Sequence, residues 1–481
     1  MLKIVRESKA FFIGSTISAF ILRLVFIFRF PSVTTDSFIY GDIAKNWLQR
    51  GIYGISNAGG VAPTCIRLPG YPAFLTAVFA IFGMEHYRAV LVVQMFVDVG
   101  TCFLVAEIAR RVFGSRAARA AFLLAALCPF TANYVATALT ETLEIFFTAL
   151  SLNFALAGLE SDGVRKTGAW IGCGLATAAT ILLRPDGGIL LAAIEFFLVW
   201  TVARRLGYRR RVVGLVGAMF AVGLVSIAPL IPWTFRNLHT LNRFQPLAPR
   251  YANDEGEFVP MGFNRWVKTW MVDYASVEEI YWSVPGEPVD AAKLPDRAFD
   301  SIKQRRETLQ LLNQYNSALY VSPELDAKFA ALAAQRISKS PWRYYVWLPA
   351  LRIADMWFRP RTEMLPSDSR WWEFNDDPKW SALAVGLGLI GIFYAASGLA
   401  GFFQRGTLRH AGLLAIFVVL RSLFLGTLEN PEPRYTLECF PVVIVFAAAV
   451  FRERRTAINP PDELRQRGIG HSEPGSNVFG K

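Results

Sequence analysis

The sequence predicts an all-α polytopic membrane protein, a helical bundle of about ten spans with two large loops on one face. Three observations carry that expectation. Of the 481 residues 53% are hydrophobic, with 38 Phe and 13 Trp, and mean hydropathy is +0.33. The apolar residues fall in blocks of about 20, the length at which a helix crosses the hydrocarbon core, and they lack the alternation of barrel strands. Basic residues gather in short clusters at block ends, where lysine and arginine set topology.

Spans are expected near 10–30, 88–109, 120–139, 141–159, 168–184, 187–204, 211–232, 380–403, 409–427 and 435–452. Lys3, Arg6 and Lys9 precede the first block, which is too long for a signal-peptide core and lacks a small-residue cleavage site, so it reads as a retained span. With the N-terminus inside, alternation places five basic clusters on the cytoplasmic side. They are Arg110, Arg111, Arg116 and Arg119; Arg165 and Lys166; Arg204, Arg205, Arg209, Arg210 and Arg211; Arg405 and Arg409; and Arg452, Arg454 and Arg455. The expected location is therefore the inner (plasma) membrane, with both termini cytoplasmic. Residues 72–84 are apolar but only 13 long, which suits an interfacial or re-entrant helix. The tyrosines, tryptophans and arginines of 343–358 suit a helix lying at the interface. Either segment, counted as a span, would turn the later arginine clusters outward.

The chain accordingly divides into a membrane module, 1–232, with a first outer loop at 31–87; an outer loop region, 233–379, with the interfacial helix 343–358; the C-terminal spans, 380–452; and a cytoplasmic tail, 453–481. Within the second loop, 322–339 reads as one amphipathic helix capped by Ser322. The Gly/Pro-containing stretch 456–481 reads as disordered.

Composition excludes several function classes. The net charge of +12 is used at span ends, so no nucleic-acid partner is expected. Of five cysteines, Cys102, Cys128, Cys173 and Cys439 lie in apolar blocks and Cys65 is alone in a polar loop, which gives no disulfide framework. His86, His239, His410 and His471 are scattered without metal-ligand spacing. GxxxxGK[ST] is absent, and no GxGxxG follows a strand, so no nucleotide cofactor is implied.

Chemistry-bearing residues cluster at the outer ends of spans. Asp36 follows the first span and opens a stretch with Ile39, Ile43, Trp47 and Leu48 at helical spacing. It reads either as the helix N-cap or as a catalytic carboxylate, while Asp42 reads as a polar-face residue. Arg67-Leu-Pro-Gly-Tyr-Pro72 leads into the short apolar helix. Glu141 falls in the turn between the third and fourth spans, with Glu144 about one turn deeper, where an ionisable group usually faces the bundle interior. Arg184-Pro-Asp186-Gly joins the fifth and sixth spans, Trp233-Thr-Phe-Arg236-Asn237 follows the seventh, and Glu432-Pro-Arg434-Tyr435 precedes the last. Each fits an ordinary turn or interfacial anchor. Together Arg67, Arg184, Arg236 and Arg434 offer four guanidiniums near one surface, a residue type suited to bidentate phosphate contact. Gln94 and Asp98 share a face of the second span, where Asp98 reads as a buried structural polar group.

This order of features resembles the GT-C membrane glycosyltransferases, in the group of protein O-mannosyltransferases, the lipid A aminoarabinose transferase and bacterial lipopolysaccharide glycosyltransferases. The residues that carry it are Asp36 followed by Tyr40, Ala44, Leu48 and Gly51-Ile52-Tyr53-Gly54; Arg67-Leu-Pro-Gly-Tyr-Pro72; Ala109-Arg-Arg-Val-Phe-Gly114; Arg184-Pro185; Pro232-Trp-Thr-Phe-Arg-Asn237; and Pro433-Arg434-Tyr435. It covers about 10–240 well and 380–452 moderately, and no single motif is highly specific. The resemblance implies an inverting glycosyltransferase that moves a sugar from a polyprenyl-phosphate donor to a glycolipid, glycan or protein acceptor on the outer (periplasmic) face. It maps the first-loop acid onto Asp36 and a second acid onto Glu141; Arg67, Arg184, Arg236, Arg434 and Tyr435, by their place near the same surface, are the residues expected at the donor phosphate. Some members carry an acidic pair in the first loop, whereas Asp36 is followed by Ser37. Members differ in their need for a divalent metal, so metal dependence stays open. A carboxylate in a partly dry site, with a raised pKa, suits the role of base. The competing reading is a transporter working through Asp98, Glu144, Glu195 and Glu438.

Overall fold

The computed structural model describes residues 2–161, 163–204, 209–254, 256–375, 377–404 and 408–452. The expected cytoplasmic tail, 453–481, lies outside the described residues. Among the described residues eight helices are long and apolar enough to cross a membrane. The segments expected at 120–139 and 409–427 are the exceptions among the ten. The first is a broken pair, α5 (Ser115–Ala126) and α6 (Pro129–Val135), bent by 49°. The second is a helix over Leu408–Leu425 whose apolar part is the shorter Ala411–Leu425.

The first span, α1 (Lys9–Arg29), is followed by α2 (Thr35–Arg50), a hairpin of β1 (Gly54–Asn57) and β2 (Gly60–Pro63), and the short apolar α3 (Gly70–Phe82). The strands pair antiparallel, Gly54 opposite Pro63. Asp42 is more than a polar-face residue, because its carboxylate accepts from Ser56 N at 2.6 Å and Ser56 Oγ at 2.8 Å and so fastens the hairpin to α2. The second span, α4 (Tyr87–Phe113), then runs back down the bundle.

Two polar residues of α4 account for the broken pair. Pro129 supplies no backbone N–H and pushes Cys128 out of the helical region, to ψ 111°. The carbonyls this exposes at the end of α5 are satisfied by Arg23 of α1, which is fully buried and donates to Ala126 O at 2.5 Å and Ala125 O at 3.2 Å. Its charge is held by Asp98 of α4 at 2.7 Å. At the other break, Gln94 donates to Val135 O at 3.2 Å and Thr137 O at 2.8 Å and accepts from Tyr71 Oη of α3 at 2.8 Å. Ser32 closes the same break by donating its N–H to Ala136 O at 2.8 Å. Asp98 thus holds the structural role its depth suggests.

The remaining spans are α7 (Glu141–Glu160), α8 (Gly163–Leu183), α9 (Gly188–Ala203), α10 (Arg209–Ile227) continued after a turn by α11 (Leu230–Leu241), then α16 (Pro378–Phe402), α17 (Leu408–Leu425) and α18 (Phe440–Ala448) with the flanking turns of 433–451. Between α11 and α16 the second loop builds its own core. Trp266 and Trp270, at and just beyond the end of α12 (Met261–Lys268), are fully buried with Leu312 of α13 (Ile302–Ala318) and Phe329 of α14 (Pro323–Lys339). Ser322 caps α14, accepting from Leu325 N at 3.2 Å. The segment expected at 343–358 is helical, a π turn over Arg343–Trp347 running into α15 (Leu348–Phe358), with Trp342, Tyr345 and Trp347 exposed.

Both loops and the turn before α18 meet at one end of the bundle. Thr64 donates to Asp254 at 2.8 Å, Arg250 to Glu429 at 2.7 Å, and Arg361 to Thr436 at 2.7 Å.

Candidate active site

The site is built from helix starts and turns at this loop end. Asp36 is not the cap of α2. Thr34 is, accepting from Ser37 N at 3.3 Å while Ser37 Oγ accepts from Thr34 N at 3.1 Å. The capping box satisfies the helix start and leaves the Asp36 carboxylate, two positions after the cap, against Arg67 at 2.7 Å. Arg67 in turn lies 5.5 Å from the centroid of the Tyr40 ring. Burial raises the Asp36 pKa, but Arg67, then Arg434, outweigh it and hold the carboxyl below its ordinary range. The raised pKa expected of the catalytic carboxylate is thus not found at Asp36, because a guanidinium in contact favours the charged form more than partial desolvation opposes it.

A second cluster lies beside it. Glu141 is the first residue of α7 and is 4% exposed. Arg434 stands 3.6 Å and Arg184 3.8 Å from it. Arg184 also approaches Glu144 at 3.4 Å and Asp186 at 3.3 Å, and stacks 4.8 Å above the Tyr435 ring. Arg434 stacks on the same ring at 5.4 Å and pairs with Glu432 at 2.7 Å, whose other oxygen accepts from Tyr435 Oη at 2.5 Å. Behind them, buried Arg421 bridges Asp186 at 2.9 Å and Glu438 at 2.5 Å. The Asp36 carboxyl feels the charges of both Arg434 and Arg184, so the two clusters form one electrostatic unit.

The guanidiniums differ in what they are already doing. Arg236 donates to Tyr53 O at 2.6 Å, Thr64 O at 2.7 Å and Asn237 Oδ1 at 2.9 Å, and packs on Tyr53 and Trp233. It clamps the first loop to α11, and both its terminal nitrogens are taken up in that clamp. Arg67 is committed to Asp36 and to Ile66 O. Arg184 holds ion pairs of 3.3, 3.4 and 3.8 Å, longer than good hydrogen bonds. Arg184 and Arg434 are the two that converge on Glu141, Arg434 through a 3.6 Å approach beside its 2.7 Å pair with Glu432.

Unpartnered polar atoms concentrate here. Tyr134 Oη, Glu141 Oε2, Glu144 Oε2 and both carboxyl oxygens of Glu363 are buried and make no hydrogen bond within the protein. Such atoms are costly unless something else satisfies them. Glu363 lies in the segment between α15 and α16, and burial pushes its pKa up to about 7 against the opposing pull of Arg361 and Arg434. Sequence reasoning passed over Glu363 and Arg421, since a lone Glu in a loop and an Arg late in a span match no pattern. Among the described residues no three His, Cys, Asp or Glu converge as metal ligands. The carboxylates converge on guanidiniums instead, an arrangement that does not fit a divalent cation.

The profile of the family described as dolichyl-phosphate-mannose-protein mannosyltransferase matches residues 63–233. A search of curated protein sequences finds no match. Among solved structures, the oligosaccharyltransferase AglB from Archaeoglobus fulgidus, in complex with an inhibitory peptide and a dolichol-phosphate, is similar at TM-score 0.49 and 14% identity, over 92% of this chain and 50% of that one. The chain thus spans about half the length of AglB. ArnT from Cupriavidus metallidurans bound to undecaprenyl phosphate is similar at TM-score 0.40 and 14% identity, over 92% of this chain and 78% of that one. Residues 63–233, which carry Arg67, Glu141 and Arg184, thus match the dolichyl-phosphate-mannose-protein mannosyltransferase family, in keeping with the GT-C membrane glycosyltransferases that the ordered motifs resemble.

Proposed function

We propose that the protein is an inverting glycosyltransferase that moves a sugar from a polyprenyl-phosphate donor to an acceptor hydroxyl, at the loop end of the bundle and on the outer face of the membrane. The observation that carries this reading is the pair Arg184 and Arg434, converging on Glu141 and stacked on Tyr435, beside the Asp36 carboxylate. The positive-inside argument supports the orientation, because the loop end lies opposite the basic clusters.

In the reaction the acceptor oxygen attacks the anomeric carbon from the face opposite the phosphate. The bond from that carbon to the phosphate oxygen breaks, and polyprenyl phosphate leaves with the electron pair. Arg184 and Arg434 stabilise the charge that grows on the leaving oxygen, in a site dry enough for such contacts to count. The acceptor proton passes to a carboxylate. A carboxylate of low pKa suffices for Asp36, since the attacking oxygen becomes strongly acidic only as its new bond forms. Three of the four acids that a transporter would use are committed to ion pairs, Asp98 with Arg23, Glu144 with Arg184 and Glu438 with Arg421.

The arginine series tests the reading. Arg184→Lys and Arg434→Lys each remove a bidentate fork and should lower kcat/KM for the lipid donor about 10–100-fold. Arg236→Lys should lower thermal stability and leave the turnover of the folded fraction within about threefold of wild type. Equal losses in all three, with stability unchanged, would remove the distinction between the phosphate pair and the clamp.

A further inference from the structure

A cavity of about 660 Å³ opens where the second loop meets α16. Its upper part is polar, formed by Asp273, Arg297, Asp355, Arg359 and Arg370 beside Trp371 and Trp372. Its lower part is a slot on α16, formed by Val385, Gly388, Leu389 and Ile392 with Pro360. These four helix positions make one stripe about 10 Å long. Val385, Leu389 and Ile392 are 38%, 63% and 48% exposed, on a helix apolar enough to span a membrane. Gly388 lets the loop approach, since a Cβ there would sit 3.1 Å from Pro360 Cγ. The cavity therefore joins a polar chamber at a span's loop end to an apolar groove running down that span, the outline of an amphiphile.

The chamber's chemistry narrows the head group. Its cations are matched by acids: Arg297 by Asp273, Arg359 by Asp355 at 3.8 Å, Lys293 by Glu279 at 3.3 Å, and Arg370 by Glu279 at 2.8 Å and Glu373 at 3.3 Å. A bare anion would have to compete with each of those acids. A sugar would not, because its hydroxyls both donate and accept and can bridge such pairs. Its C–H face also stacks on indole, and Trp372 stands 45% exposed at the cavity. Trp371, beside it in the cavity wall, has a buried Nε1 with no hydrogen-bond partner in the protein. The chamber adjoins the candidate active site. Tyr274, between the wall residues Asp273 and Ala275, lies within electrostatic reach of Glu432 and Arg434. Pro360 is followed by Arg361, which donates to Thr436 beside Tyr435 at 2.7 Å.

We infer that this cavity binds a glycolipid, with its sugar in the chamber and its chain along α16, and that it is the acceptor site. The acceptor role rests on the transfer proposed above, whereas the binding does not. The five native cysteines are buried, so Ile392→Cys can carry a bimane fluorophore with low background. The probes are dodecyl maltoside, dodecyl phosphocholine and free maltose, added below micelle formation to the full chain in phosphatidylcholine nanodiscs. Dodecyl maltoside should give a saturable emission shift that the other two do not. Trp372→Ala, and separately Leu389→Trp to fill the slot, should weaken it by about tenfold. Equal responses to maltoside and phosphocholine, or unchanged affinity in both variants, would overturn the glycolipid assignment. Maltoside binding without any sugar transfer counts against the reaction alone. Transfer to a glycolipid without maltoside binding here counts against the cavity alone.

Discussion

Asp36 and Glu363 are both loop-end carboxyls, yet their surroundings set them to opposite states. Arg67 and Arg434 hold Asp36 ionised below the usual carboxylate range, while burial keeps Glu363 titrating at about 7. Two different outcomes follow. Asp36→Asn keeps the side chain's size, and Thr34 still caps the helix, so folding should be near normal while turnover falls about a hundredfold or more. Wild-type turnover in that folded variant would return Asp36 to a structural role as the partner of Arg67. For Glu363 the native pKa lies above the unfolded one. Wild-type stability should therefore fall as pH rises from the ordinary glutamate range to about 7, then stay flat. Glu363→Gln should raise the thermal midpoint in detergent at about pH 8, with the gain shrinking toward about pH 4. A gain of equal size at both pH values would mean that Glu363 does not titrate in this window. The sequence showed Asp36, Glu141 and Arg434 through their places at span ends. That Thr34 rather than Asp36 caps the helix, and that Arg67 reaches back across 31 positions to Asp36, are matters of local geometry and tertiary contact.

At the scale of elements, hydropathy located the apolar segments but not their shapes. A sliding reading sums apolar content and cannot sense the 49° bend between α5 and α6, although Pro129 marks it in the sequence. The hairpin of β1 and β2 was also passed over, despite the Asn57-Ala-Gly-Gly60 turn between its strands. What keeps the bent pair in place is a buried charge pair rather than propensity. Asp98→Ala leaves Arg23 charged, buried and facing carbonyls alone, so it should destabilise the protein by about 3–5 kcal/mol. Thermal unfolding in detergent reads this directly. A midpoint within a degree or two of wild type would show that the pair does not hold the break.

At the scale of the molecule, the candidate site residues lie at one end of the bundle, and Arg110, Arg111, Arg116, Arg119 and Arg204 lie toward the other. The orientation proposed above follows from that polarity. Lys303→Cys on α13, whose parent side chain is 88% exposed, should react with an impermeant thiol reagent added outside intact cells. Val164→Cys, at a position 90% exposed at the opposite end, should react only after permeabilisation. The reverse pattern would invert the topology and put the site within reach of cytoplasmic nucleotide sugars. The donor is thus the point on which the whole account turns. Purified protein in nanodiscs, given either a polyprenyl-phosphate monosaccharide or a nucleotide sugar with a mixed glycolipid acceptor pool, measures it most directly. The account predicts release of polyprenyl phosphate with sugar transfer from the lipid donor, and none from the nucleotide sugar. Efficient transfer from the nucleotide sugar alone would contradict it.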